Sequence, residues 1–289
     1  MRLILGSTAF QLRRRALVMA IVNRTPDSFY DRGRTFSLDA AVEHALAQVA
    51  DGADIIDVGG VKAGPGPPVD LVEERERVVP FVEALRRHSA VPLAVDTFRA
   101  AVAAEALDAG ADMVNDVSGM AEPEIADAVA ARPGTVLVVM HAGGPPRTRP
   151  YRPSYQPDVT TVVIDACRRL ANAAHRRGVA REAVIVDPGH DFGKNTVQSL
   201  ELTRRLGELC ALGYPVLASL SRKDFLGETL GGLPPSQRLE ASLSAAVMAV
   251  LAGARIVRVH DTLATVRALR TAEAIAGWRP PALSARGLE

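Results

Sequence analysis

Short apolar runs that end in or beside a polar residue recur eight times along this chain, and that rhythm limits the fold more than any other feature. The runs fall at residues 18–23, 54–58, 92–96, 113–116, 135–141, 184–187, 215–220 and 256–260. They are rich in Val and Ile and lack a clean apolar–polar alternation. Such runs read as strands buried on both faces, as in a parallel sheet covered by helices. Helical segments separate them. Ser37 caps a helix through Ala50 that stops at Gly52, and a second at 98–109 stops at Gly110. A third at 200–210, with Ser199 as cap, stops near Gly213; a fourth at 238–251 stops at Gly253, and a fifth spans 262–276. The tripeptide Gly-Ala-Asp stands at 52–54 and again at 110–112, each time where a helix gives way to a strand. Eight such β–α units predict an α/β fold of the (β/α)₈ TIM-barrel type. The 289 residues suit one barrel of about 250 residues plus long loops. No composition break divides the chain, so a single domain over 1–289 is expected.

A formal net charge of +1 argues against nucleic acid or an anionic membrane as partner. No apolar run approaches the ~20 residues of a membrane span. The first apolar stretch precedes Arg13-Arg14-Arg15, the reverse of a secretory signal, so the expected location is cytoplasmic. Cys167 and Cys210 have no metal-like spacing and read as buried thiols; His44, His88 and His175 read as surface groups on helices. Arg fills nearly every basic position. Lys62, Lys194 and Lys223 are the three lysines, places where a compact ammonium is singled out.

In a barrel the chemistry sits at the C-terminal ends of the strands. Those ends carry Asn23, Asp57, Asp96, Asn115-Asp116, Met140-His141, Asp187, Ser221-Arg222-Lys223, Arg258 and His260-Asp261. One strand ending in Asp or Asn is ordinary turn chemistry. Eight polar ends must find partners inside the mouth. They divide by chemistry. Asp96, Asn115 and Asp187 suit the edge of a flat, nitrogen-rich heterocycle. Asn23, Arg258 and His260 suit a polyanion such as a diphosphate, with or without a divalent ion. Arg258 and His260, two apart on one strand, share a side. Asp57 has two readings, a brace for Gly59-Gly60 or a ligand contact, and His141 reads equally as a satisfied core histidine. Asp261 reads as a loop brace, as does Asp31, and Lys194 reads as a contact at the barrel mouth. Two Gly/Pro-rich loops, 61–68 and 142–157, are the mobile or functional candidates.

These residues carry a resemblance. The stretch 19–29, Met-Ala-Ile-Val-Asn-Arg-Thr-Pro-Asp-Ser-Phe, resembles the first-loop motif of dihydropteroate synthases. Ala53-Asp54-Ile55-Ile56-Asp57-Val58-Gly59-Gly60, Val95-Asp96-Thr97, Asn115-Asp116-Val117-Ser118-Gly119 and Met140-His141 follow in the family's order. Asp187-Pro188-Gly189, Phe192-Gly193-Lys194, Ser221-Arg222-Lys223 and Arg258-Val259-His260-Asp261 complete the series, once per strand from about residue 18 to 262. The family joins 6-hydroxymethyl-7,8-dihydropterin diphosphate to para-aminobenzoate in folate synthesis. The resemblance implies that Asp96, Asn115, Asp187 and Lys223 hold the pterin ring, with Met140 against it. It assigns the diphosphate to Asn23, Arg258 and His260, with Mg²⁺ on Asn23. It also implies a homodimer through the last helices, where 241–254 is Ala-rich.

The second loop departs from the pattern. Family members follow Asp-Val-Gly-Gly with Glu-Ser-Thr-Arg-Pro-Gly; here Val61-Lys62-Ala63-Gly64-Pro65-Gly66 stands instead. Ala63 and Gly64 replace the Thr and Arg that help place the second substrate. Loss of one charge-assisted contact of about 2–4 kcal/mol slows a reaction ~30- to ~1000-fold. His190-Asp191 stand where an apolar residue and Gly are usual, beside Phe192 at the expected aminobenzoate position, Arg24 replaces a small apolar residue, and Arg32 precedes Gly33 where Gly-Gly is common. The combination resembles the divergent second homologue carried by some GC-rich bacteria. It implies a binder of pterin phosphates with synthase activity weak or lost. Two readings stay open beside it: a fully active synthase, with Lys62 reaching the missing Arg position, and a methyltetrahydrofolate-type pterin methyltransferase.

Overall fold

The computed structural model describes residues 1–25, 37–62, 64, 66–148 and 154–286. An antiparallel hairpin, β1 (Arg2–Leu5) and β2 (Thr8–Gln11), comes first and was not foreseen among the eight runs. Eight parallel strands follow: β3 (Leu17–Asn23), β4 (Ile55–Gly59), β5 (Leu93–Asp96), β6 (Met113–Asp116), β7 (Val136–Met140), β8 (Val184–Asp187), β9 (Leu217–Ala218) and β10 (Ile256–Val259). Their hydrogen-bonded order is β8-β7-β6-β5-β4-β3-β10-β9. A parallel bridge from Val186 to Val216 joins the two ends, so the sheet closes into a barrel. Each of the eight expected runs contains a strand. The run at 215–220 is the least regular, with only Leu217–Ala218 extended.

Among the described residues ten helices clothe the barrel: α1 (Leu38–Ala50), α2 (Leu71–Arg86), α3 (Ala100–Asp108), α4 (Glu124–Ala130), α5 (Val159–Arg176), α6 (Thr196–Arg204), α7 (Leu206–Cys210), α8 (Asp224–Thr229), α9 (Leu239–Leu251) and α10 (Thr262–Ile275). Ser37 caps α1 as expected. The helix expected at 200–210 starts earlier and breaks in two, because Asn195 and Gln198 form a reciprocal capping box that opens α6 at Thr196. Ser199 is fully buried inside α6 and is not a cap. Asp70 and Asp158 cap α2 and α5 by accepting from Glu73 N and Thr161 N at 2.8 and 2.9 Å.

Alternate residues of each strand serve different layers. Val18, Ala20, Val22, Ile56 and Val58 face the helices and pack with Phe81, Leu85, Ala41 and Ala45. Leu17, Met19, Ile55, Ala94, Met113, Val136, Val138, Ile185, Leu217 and Ile256 fill the interior. Leu3, Leu5 and Leu12 from the hairpin join this interior cluster and seal the N-terminal end of the barrel. Each contributes about 1.5–3 kcal/mol by leaving water. The strand period of two then forces the inward residues above them to be Ile21 and Asn23 on β3, then Asp57, Asp96, Asn115, Met140, Asp187 and Arg258. Asp116 has the opposite parity. It faces away from the interior and accepts from Ser118 N at 2.8 Å and Met120 N at 2.5 Å, holding the following turn.

Three minor expectations need correction. Cys167 is buried, but Cys210 is only half-buried. His175 is no surface group: its ring lies 2.9 Å from both Val179 O and the Tyr214 hydroxyl and stacks on Tyr214, tying the end of α5 to the approach to β9. His44 is half-buried and His88 is exposed beyond the end of α2.

Candidate functional site

The inward residues converge on one cleft at the C-terminal end of the barrel. Asn23, Asp96, Asn115, Met140, Asp187, Lys223, Arg258 and His260 all line it, together with Lys62, Gly64 and Phe192. Every strand-end residue expected to hold a ligand therefore reaches the same space. Asp31, Arg32 and Ala63 lie outside the described residues.

Arg258 dominates the electrostatics. Its Nε donates to Asp57 Oδ2 at 2.5 Å and one terminal nitrogen donates to Asp96 Oδ2 at 2.8 Å. Asn115 Nδ2 donates to the same Asp57 oxygen at 3.4 Å. Asp57 is fully buried behind the residues that line the cleft, and its carboxylate braces Arg258. Burial pushes the Asp57 carboxyl up, opposed by Arg258. Burial likewise lifts Asp96 to about 7, Arg258 opposing and the charge of Asp57 adding to the rise. A carboxyl poised there can serve as acceptor or donor near neutrality.

On the opposite wall, Asp187 Oδ1 accepts from Gly189 N at 2.7 Å. Burial raises its carboxyl, and Lys223 opposes this. Gly189 is required here: its φ is +67°, and a Cβ would stand 2.2 Å from His141 O. Lys223 Nζ donates to His190 O at 2.5 Å and lies 5.1 Å from the Phe192 ring centroid. Lys194 reaches the same loop from beneath, donating to Gly189 O and Phe192 O at 2.7 and 2.8 Å, with His141 Nδ1 at 2.8 Å. Burial, then the charge of Lys223, lowers its ammonium to about 7. Lys194 and His141 thus hold the floor under Phe192 and lie outside the cleft.

His190, one of the departures, is fully buried, with neither ring nitrogen hydrogen-bonded, and stacks on Phe225 at 5.9 Å. Burial and the two lysines hold it well below the ordinary histidine range, so it is the neutral imidazole filling an apolar slot. Its neighbour Asp191 takes a φ of +66°, the conformation a Gly there would adopt freely. Across the cleft His260 Nδ1 lies 3.0 Å from Ser221 Oγ. Arg222 grips Asp261 through two 2.7 Å bonds, the brace expected of Asp261.

The second loop is anchored from behind. Gly60 lets it lie on α2, where a Cβ would meet Val78 at 2.9 Å. Arg77 donates to Gly60 O and Arg24 to Arg77 O, both at 2.8 Å. Arg24 therefore supports the loop's base and points away from the cleft. Over the top, Arg147 donates to Pro67 O at 2.7 Å, joining the two long loops. No sequence pattern signals this contact, since it pairs a side chain with a backbone carbonyl 80 residues away. A narrow side cleft beneath it is lined by Lys62, Thr97, Phe98 and Arg147 and shares Asp96 and Phe192 with the main one.

Known proteins agree with this geometry. The model of the pterin binding enzyme family matches residues 19–260. An inactive dihydropteroate synthase 2 of Mycobacterium leprae is 54% identical over 280 residues, covering 95% of each chain. Among solved structures, the Yersinia pestis dihydropteroate synthase with a sulfonamide drug superposes with a TM-score of 0.90 at 38% identity, over 96% of this chain and 100% of that one. The Burkholderia cenocepacia enzyme complexed with 7,8-dihydropteroate does so with a TM-score of 0.85 at 40% identity, over 96% of each chain. This chain belongs to the dihydropteroate synthase family of pterin-binding enzymes.

Proposed function

We propose that the protein binds a 6-hydroxymethyl-7,8-dihydropterin phosphate or diphosphate and condenses it with para-aminobenzoate slowly or not at all. One observation carries this reading. The full ring of strand-end residues meets in a single cleft, while the described second-loop residues that line it are Val61, Lys62 and Gly64, an apolar side chain, one ammonium and bare backbone with no guanidinium among them. Asp96, Asn115 and Asp187 supply acceptors and an amide for the edge of a pterin ring, Lys223 a donor, and Met140 an apolar face. Asn23, Arg258 and His260 supply an amide and two nitrogen groups for the diphosphate oxygens.

In the family's reaction the bond from the pterin methylene carbon to the diphosphate oxygen breaks, and the aryl amine forms the new C–N bond and loses a proton. Fixed cations at the leaving group and carboxylates near the developing pterin cation lower that barrier without a protein nucleophile. What is missing is a rigid fork to orient the amine, since a lysine cannot reproduce a bidentate guanidinium contact. Asn23 offers one oxygen to Mg²⁺. Among the described residues no group of three or more His, Cys, Asp or Glu side chains could complete its shell, so an ion there fits only as a partner of the diphosphate. Pairing of two chains would fall on the α9–α10 surface, where Met248, Leu251 and Ile275 are exposed; sedimentation velocity checks it.

Calorimetric titration with the pterin diphosphate, with and without aminobenzoate, tests each half. Binding of the first ligand with little or no dihydropteroate formed is the expected result. Turnover near that of an ordinary family member refutes the reading, and binding of methyltetrahydrofolate in its place supports the methyltransferase alternative.

A further inference from the structure

We propose that Arg258 is an internal occupant of the ligand-free cleft, and that an anion must draw it off Asp96 before a pterin ring can use that carboxylate. The inference rests on the pterin reading above and concerns how the two parts of the ligand assist each other.

The two carboxylates that hold Arg258 are not equivalent. Asp57 is fully buried, lies outside the cleft and has only Arg258 and Asn115 as partners among the described residues; its Oδ1 has none. Taking the guanidinium away from it leaves an uncompensated buried charge. Asp96 lines the cleft, where a ligand N–H can replace the guanidinium. The side chain of Arg258 is 17% exposed and faces the same space. Asp57 is therefore the anchor and Asp96 the releasable partner. One terminal nitrogen can leave Asp96 for a phosphate oxygen while Nε stays on Asp57. A pterin without phosphate has nothing to offer the displaced guanidinium, whereas one bearing a diphosphate does.

Inorganic diphosphate and a phosphate-free pterin should accordingly bind with positive and reciprocal coupling. In calorimetry on the full chain, 6-hydroxymethylpterin should bind roughly 5- to 150-fold more tightly when inorganic diphosphate is saturating, the usual range of such coupling. Arg258→Gln should tighten phosphate-free pterin binding in the absence of diphosphate and abolish the dependence on it. A merely structural arginine would do neither. If Arg258→Gln fails to fold, the double variant Arg258→Gln/Asp57→Asn, which leaves no unpaired carboxylate at position 57, is read in the same way. Unchanged pterin affinity with diphosphate, or weaker phosphate-free pterin binding by the Arg258 variants, overturns the proposal. A protein that binds pterin diphosphate without coupling loses only this inference. One that binds neither pterin loses the pterin reading as well.

Discussion

The strand-end ring and the second loop share one cleft, yet the chain places their side chains by different means. Ring residues inherit their positions from the sheet. Ile55 and Asp57, Ala94 and Asp96, Met113 and Asn115, Ile185 and Asp187, and Ile256 and Arg258 are each two apart, so packing of the lower residue aims the upper one. The second loop hangs on a few contacts at its base, the carbonyl of Gly60 held by Arg77 and the carbonyl of Pro67 held by Arg147. A ring residue is difficult to change without disturbing the barrel. Surface-loop side chains in general tolerate change more readily. On the reading proposed above, this contrast would let second-ligand contacts be lost while the first-ligand pocket persists.

The contrast can be broken most directly at the loop. Dihydropteroate formation should run ~30- to ~1000-fold below an ordinary family member, and Ala63→Thr with Gly64→Arg should recover at least about tenfold, the effect of ~1.4 kcal/mol. Steady-state assays of both proteins decide it; no gain on restoring the pair means the deficit lies elsewhere, with His190-Asp191 the next suspects. Next in size, Asp187→Asn should weaken pterin diphosphate binding about 10- to 150-fold, matching a charged hydrogen bond of about 1.5–3 kcal/mol. An unchanged Kd would show that the ring does not hold the pterin.

A smaller effect tests Asp96 through pH. Its carboxyl titrates at about 7, so the acceptor form is full above that value and is lost as pH falls. Pterin affinity should drop about tenfold from pH 8 to pH 6, the change in ionised fraction of one such group. Asp96→Asn should flatten the profile. Stability should move the other way: the folded state holds this proton more tightly than the unfolded chain does, so Asp96 costs stability as pH rises from about 4 to 7. Smallest of all, Lys62→Ala should change pterin affinity less than about threefold, as for a single ion contact at the surface edge of a cleft. Any residual synthase turnover that falls with it identifies Lys62 as a partial replacement for the lost guanidinium.

Barrel and ring were legible because strand ends and helix stops repeat, and because each inward position follows from the one below it. Asp57 was legible as important but not in its role, since pairing with Arg258 spans 201 residues and depends on closure of the sheet. The hairpin at Arg2–Leu5 and Thr8–Gln11 escaped notice because it is short and precedes the repeat. Ser199 drew attention as a cap when Asn195 and Gln198 do that work, which only the reciprocal contact reveals. The Arg147–Pro67 contact has no sequence signature at all.

The hairpin has a consequence of its own. With Leu3, Leu5 and Leu12 filling the lower end, the molecule is a cup and not a tube. Anything bound against Asp187 and Asn115 therefore enters and leaves at the C-terminal mouth, since the lower end is filled. In a turnover enzyme a single door sets the order in which products depart. Under the slow turnover proposed above, the same opening would set how long a bound pterin stays, and retention would become the property on which selection acts.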